Sequence, residues 1–339
     1  MRIVLIRIFI KQKLVFKILL CYNFYKLSLI GGNFMIYTVT GKFDKNTFKR
    51  ACIHEHVAVC SNDMKAVFKN EWYDEQKLIP LASEVLKKSG FDLFVDGTPC
   101  DLGRDISLLK AVSENSNVKI VASTGFYHFP NLFTINRTSL ELASWILKEF
   151  EKGMEGTSIL PGILKCASSN YTLSYDEKVR LGAMAIVQNK TGLPLYVHCS
   201  HNENVEEKLN FLVENGANIE KIIVGHCGLK PNVKYLAHFL NKGCYISMDQ
   251  NHCSMQKEEI PNTLYELCKL GYTDKILLSS DYCIYTDFSN DAHKGFEKDV
   301  ETHLYKLNYQ INEILPKFKG NPQDFNKMTG ENILNVLDV

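Results

Sequence analysis

The feature that most constrains this chain is an eightfold alternation of short apolar runs with longer amphipathic stretches. From residue 49 onward, residues 50–54, 93–96, 119–123, 160–165, 194–198, 221–225, 244–248 and 275–280 read as strands. Between them, residues 75–89, 139–153, 174–191, 203–215, 234–242 and 258–270 read as helices. In the segment 203–215, Val205, Leu209, Leu212 and Val213 return at helical spacing and define one apolar face. A strand followed nearly every time by a helix is a parallel βα repeat, and eight such units close a TIM-type (β/α)8 barrel. An open doubly wound sheet is the competing arrangement, but no glycine-rich phosphate loop follows the first strand. The polar stretch 281–298 suits an active-site loop, and residues 321–338 suit a terminal helix covering the barrel.

A barrel of this kind needs about 250 residues, and 339 residues with 45% hydrophobic content supply one without a second domain. Residues 35–339 therefore read as a single catalytic barrel, preceded by a basic, apolar extension over residues 1–34. That extension holds Arg2, Arg7, Lys11, Lys13, Lys17 and Lys26 and no acid. Its uncharged stretch at residues 18–25 is short for a membrane span, and no signal-peptide cleavage site is evident. The preferred reading is that Met35 is the biological start; an added helix or strand and a targeting segment are the alternatives. Without the extension, 33 basic residues face 38 acidic ones, so the body is mildly acidic and no basic stripe points to nucleic acid. Eleven cysteines, an odd number with no CxxC pair, fit a reducing cytoplasm better than a disulfide framework.

The ionisable residues fall in a pattern. His54, Lys165, His198, His226 and Asp281 each stand at the C-terminal end of an expected strand. All such ends open on one face of a (β/α)8 barrel, the face where active sites are built. In His54-Glu55-His56 the two imidazoles point the same way along a strand and Glu55 points away. Two imidazoles with Asp281 make a nitrogen and oxygen donor set suited to zinc or a neighbouring first-row metal. An isolated HxH is a weak signal. Two further histidines closing successive apolar runs, and an aspartate closing a third, make it a constellation.

With these motifs the chain resembles the phosphotriesterase family of the amidohydrolase superfamily, including its lactonase branch. The matching segments are His54-Glu55-His56, Gly162-Ile163-Leu164-Lys165, Val197-His198, Gly225-His226 and Ser280-Asp281, and the resemblance spans roughly residues 41–337. The runs Ala122 to Tyr127, Thr191 to Pro194 and Asn321-Pro322 are similar to further landmarks of that family. The resemblance implies two divalent metal ions, zinc first among the options. His54, His56 and Asp281 would hold one and His198 and His226 the other, with Lys165 bridging both as N6-carboxylysine. A bare ammonium beside two cations is electrostatically unreasonable, whereas a carbamate is an anion with one oxygen for each.

The activity so implied is hydrolysis of a lactone or carboxylic ester by a metal-bridging hydroxide, with Asp281 as proton acceptor, Lys165 as bridging ligand and Tyr127 orienting the substrate. Tyr127 and Lys230 are the candidate substrate contacts. A phosphotriester or phosphorylated sugar lactone is the alternative substrate, although residues 251–259 lack the arginine that the phosphorylated class often carries. A non-catalytic, metal-stabilised binding protein is a reading from another class. Cys199, Cys227 and Cys283 neighbour the expected ligands and are expected to face elsewhere. The expected partner is a small ester or lactone, with no nucleic acid and no membrane. A homodimer follows from the resemblance alone.

Overall fold

In the computed structural model, residues 35–68, 74–129, 132–169, 171–199, 204–287 and 299–338 are described. The N-terminal extension and most of the expected loop at 281–298 lie outside them.

The chain enters through a two-stranded hairpin, β1 (Met35–Thr38) and β2 (Gly41–Asp44). Eight parallel strands follow: β3 (Ala51–Val59), β4 (Leu93–Asp96), β5 (Lys119–Phe126), β6 (Ile163–Ala167), β7 (Leu195–His198), β8 (Ile222–Val224), β9 (Tyr245–Met248) and β10 (Ile276–Leu278). A ninth, β11 (Cys283–Thr286), runs parallel beside the second half of β3. Sheet order is β10-β9-β8-β7-β6-β5-β4-β3-β11. Between β10 and β3 the closing bonds are irregular: the Asp281 amide donates to His54 O at 3.0 Å, and His54 N donates to Ser279 Oγ at 2.9 Å. The result is a distorted (β/α)8 barrel.

Helices Glu75–Ser89, Ile106–Ser116, Ser139–Lys152, Tyr175–Thr191, Val205–Glu214, Val233–Asn241 and Ile260–Lys269 wrap the sheet. Their starts are written locally. Thr138 with Glu141, and Ser174 with Glu177, form reciprocal capping boxes that satisfy the first free backbone donors. Gly192, at φ 72°, closes Tyr175–Thr191 in the left-handed conformation that glycine adopts without strain.

Two apolar layers follow from the strand alternation. Cys52, Phe94, Ile120 and Ala122 face helix residues such as Leu78, Val85, Ile106 and Val112. Ala51, Ile53, Leu93, Val95, Val121, Ile163, Tyr196, Ile223 and Leu277 meet Ile333, Leu334, Val336 and Leu337 of the C-terminal segment. Lys221 Nζ ties that segment down, donating to Val336 O at 3.0 Å and Asp338 O at 2.8 Å. The expected single helix at 321–338 is instead two short helices, Pro322–Asn326 and Asn332–Leu337, joined by a wider helical turn over Lys327–Glu331. Among the described residues no helix is long and apolar enough to cross a membrane.

One departure shapes the site. The first strand does not end at His54 but continues to Val59, because β11 supplies a partner for its second half. The register against β4 shifts between Cys52 and Glu55. Such a bulge re-aims side chains. It lets Ile53 join the inner layer while the adjacent His54 also faces the barrel axis.

Candidate metal centre

His54 and His56 project from the middle of β3, and Lys165 from the middle of β6. His198 is the last residue of β7; His226 lies two residues beyond β8, and Asp281 three beyond β10. His226 (φ 57°) and Asp281 (φ 54°) adopt left-handed backbone, as does Gln250 (φ 52°) after β9. Non-glycine residues hold that conformation at a cost of about 1–3 kcal/mol, which clusters at functional sites. Here each such turn directs a polar side chain inward.

These side chains converge. Lys165 Nζ lies 2.5 Å from His54 Nε2, and Asp281 Oδ1 lies 3.1 Å from His56 Nε2 and 3.5 Å from His54 Nε2. His226 Nε2 faces His198 Nδ1 at 2.7 Å. Donor atoms of His54, His226 and Asp281 all lie within 4.8 Å of one another. A Cβ on Gly97 would collide with the His54 ring, so glycine is required there for clearance.

Electrostatics fit a cation. Burial, then the neighbouring Lys165, push the His54 imidazole down to about 3. Burial and His226 push His198 well below its ordinary value. Both rings are therefore neutral, the form that ligates metal. Burial would raise the Asp281 carboxyl, but His54, His226 and His56 outweigh it and hold it well below the usual carboxylate range. Burial pushes the Lys165 amine down to about 8, against Asp281 and Asp249, which raise it. The residues present thus fit a metal centre: neutral imidazoles, an ionised carboxylate and an amine of lowered basicity in one buried cluster.

Sequence reasoning missed three residues that organise this cluster. Asp249, one residue past β9 and fully buried, accepts from His226 Nδ1 at 2.7 Å and His54 Nδ1 at 3.3 Å. It also accepts from Ser247 Oγ at 2.6 Å and from the Tyr196 hydroxyl. Gln250 Nε2 donates to Asp281 Oδ2 at 2.5 Å. Asp101 accepts the Tyr127 amide on both oxygens at 2.9 Å and sets that residue at the rim. The signal for Asp249 was present, since it closes an apolar strand just as His198 does.

The cluster opens into a cavity of about 310 Å³, walled by Val59, Leu102, Tyr127, Phe129, Gln250 and Cys283 beside the candidate ligands. Tyr127 stands with its ring 5.2 Å from that of His198. Lys230 is not part of this wall. It is exposed, and its ammonium sits over the Tyr235 ring at 4.1 Å, beside a separate small hollow behind His226. Cys199 and Cys227 donate to the carbonyls of Val197 and Val224 and are kept as thiols by burial. Cys283 departs from expectation by reaching the cavity.

A distorted (β/α)8 barrel whose strand ends gather histidines and an aspartate into one cavity defines a metal-dependent hydrolase. The Phosphotriesterase family model matches residues 35–333, and the chain belongs to that family. It is 29% identical over 243 residues to the aryldialkylphosphatase of Saccharolobus solfataricus, covering 70% of this chain and 77% of that protein. It is 26% identical over 286 residues to the phosphotriesterase homology protein of Escherichia coli K12, covering 80% and 96%. It is also 26% identical over 297 residues to the N-acetyltaurine hydrolase of Dictyostelium discoideum, covering 78% and 80%.

Proposed function

We propose that this metal-dependent hydrolase of ester-type bonds acts on a small lactone or carboxylic ester. The observation that carries the reading is the meeting of Lys165, His54 and Asp281 at the floor of a cavity walled by Val59, Leu102, Tyr127 and Phe129. A volume of about 310 Å³ is at the small end of the range for ligand pockets.

In this reading His54, His56 and Asp281 would hold one divalent ion, and His198 and His226 the other, zinc being the first to test. Lys165 joins the set as a carbamate, which forms from a neutral amine, and burial has already lowered the basicity of that amine. Ions held there would supply Lewis acidity toward the scissile carbonyl and lower the pKa of water to near neutral pH. Asp281 takes the proton that the attacking water releases. Its Oδ2 is held by Gln250, so the carboxylate keeps one orientation while Oδ1 faces the two imidazoles. Tyr127, fixed through its amide by Asp101, presents its ring to the incoming substrate. The ten described cysteines form no disulfide with one another, which suits a reducing, cytoplasmic setting.

Hydrolysis of an N-acyl amide is the second reading. It is favoured by relatives named N-acetyltaurine hydrolase in both Dictyostelium discoideum and Rattus norvegicus. Turnover of metal-loaded protein on aliphatic lactones, aryl esters, phosphotriesters and N-acyl amides separates the possibilities. Lactone or ester turnover that vanishes in Lys165→Ala, with loss of bound metal, is the expected result. Selective amide or phosphotriester turnover would displace the ester reading.

A further inference from the structure

We propose that Asp249 couples the two halves of the metal centre, a single buried carboxylate orienting one imidazole from each half. This rests on the metal-centre reading and adds a second link between the two sites besides Lys165.

Asp249 has no exposed surface, and its two oxygens are divided between the histidines. Oδ1 accepts the Nδ1–H of His226 at 2.7 Å, and Oδ2 accepts the Nδ1–H of His54 at 3.3 Å. A carboxylate has no hydrogen to give, so both imidazoles must carry their proton on Nδ1. In the neutral ring, the form that ligates metal, this leaves the lone pair on Nε2, and these are the atoms that face the centre: His54 toward Lys165 and Asp281, His226 toward His198. Asp281 Oδ2 also approaches His226 Nδ1, but at 3.5 Å it is the more distant acceptor.

The carboxylate is not free to serve one ring at the expense of the other. Ser247 Oγ donates to Oδ2 at 2.6 Å, and the Tyr196 hydroxyl donates to the same atom. Tyr196 is itself fixed, because its ring occupies the space that a Cβ on residue 225 would need. His54 comes from β3 and His226 from the turn after β8, on either side of the Asp249 turn. With the carboxylate so held, a displacement of it by one imidazole displaces it for the other. Coupling of this kind is reciprocal: whatever affinity one ion gains from the other, the other gains equally.

The test is uptake of Co²⁺ by the metal-free full chain at buffered free-ion concentrations, followed by bound metal per chain and by the visible absorption of the cobalt protein. Wild type should fill both positions in one steep step. Asp249→Asn should bind on the order of 10–100-fold more weakly, the usual consequence of losing a carboxylate behind a ligating histidine, and should fill in two separate steps. Ser247→Ala and Tyr196→Phe keep the carboxylate but release it, and should lower the steepness without abolishing uptake.

Steep wild-type-like filling by a folded Asp249→Asn chain would overturn the coupling. So would independent filling in wild type. Should Asp249→Asn fail to fold, unchanged steepness in both hydroxyl variants overturns it instead. Binding of no metal by wild type would overturn the metal reading itself. Because catalysis is not measured, failure to find a substrate leaves the result intact.

Discussion

At the scale of single residues, the site depends on groups whose charge is set by burial. Asp101 is the clearest case outside the ligand cluster. Burial raises its carboxyl to about 6, against the Tyr127 amide that favours the ionised form. The unfolded chain titrates this group near ~3.9, so between that value and about 6 the folded state binds more protons. Stability therefore falls as pH rises through the window. Asp101→Asn keeps an acceptor for Tyr127 and removes the titration. Wild type should lose melting temperature relative to this variant between about pH 4 and 6, and equal slopes would contradict the assignment. Gly225→Ala places a methyl group against the Tyr196 ring. Overpacking of this kind costs about 1–3 kcal/mol, so a lower melting temperature and weaker metal binding should appear together.

The ligand candidates were legible in the sequence because each closes or interrupts an apolar run. Lys230 was not correctly read, since proximity to His226 along the chain says nothing of direction, and its side chain turns to Tyr235. Asp249 closes an apolar run as His198 does, but its hydrogen bonds to His54 and His226, like that of Gln250 to Asp281, exist only once β3, β8 and the turn after β10 have met.

At the scale of elements, the bulge in β3 and the strand β11 do most to build the site. Periodicity alone gave the correct faces for His54 and His56, but with a strand that stopped too early. Four residues, Cys283–Thr286, inside a polar stretch carried too little pattern to read as β11. Glu55 joins the two. Pointing away from the cavity, its buried carboxylate accepts from Ser279 Oγ at 2.9 Å, Ser280 N at 2.7 Å and Tyr282 N at 2.7 Å. It thus clamps the turn that carries Asp281 against β3. Burial pushes the Glu55 carboxyl well up, against these three donors. Glu55→Gln sets an amide donor against one of them, a loss of about 1–3 kcal/mol. Thermal unfolding should register that loss, and metal content should fall because Asp281 is no longer held. Full metal occupancy in a destabilised Glu55→Gln chain would show that the clamp serves the fold alone.

At the scale of the whole molecule, the barrel was legible because eight βα units repeat the same physical demand, an apolar strand covered by an amphipathic helix. Its closure was less so. The seam between β10 and β3 relies on Ser279 and on the Asp281 amide, and the opposite end is filled by Ile333, Leu334, Val336 and Leu337. Since the candidate ligands come from β3, β6 and β7 and from the turns after β8 and β10, a bound cation cross-links both sides of that seam. Chelation should lower the melting temperature reversibly. Ions present at 100 times their dissociation constant add about 2.7 kcal/mol, and Lys165→Ala should not recover this on metal addition.

The most direct measurement is diffraction from metal-loaded crystals, collected above and below the metal absorption edge. Two anomalous peaks should appear among His54, His56, His198, His226 and Asp281, with density on Lys165 Nζ for a carbamate bridging them. Peaks bound instead by Cys199, Cys227 or Cys283, or a bare Lys165 with no metal in the cavity of fully loaded, active protein, would contradict it.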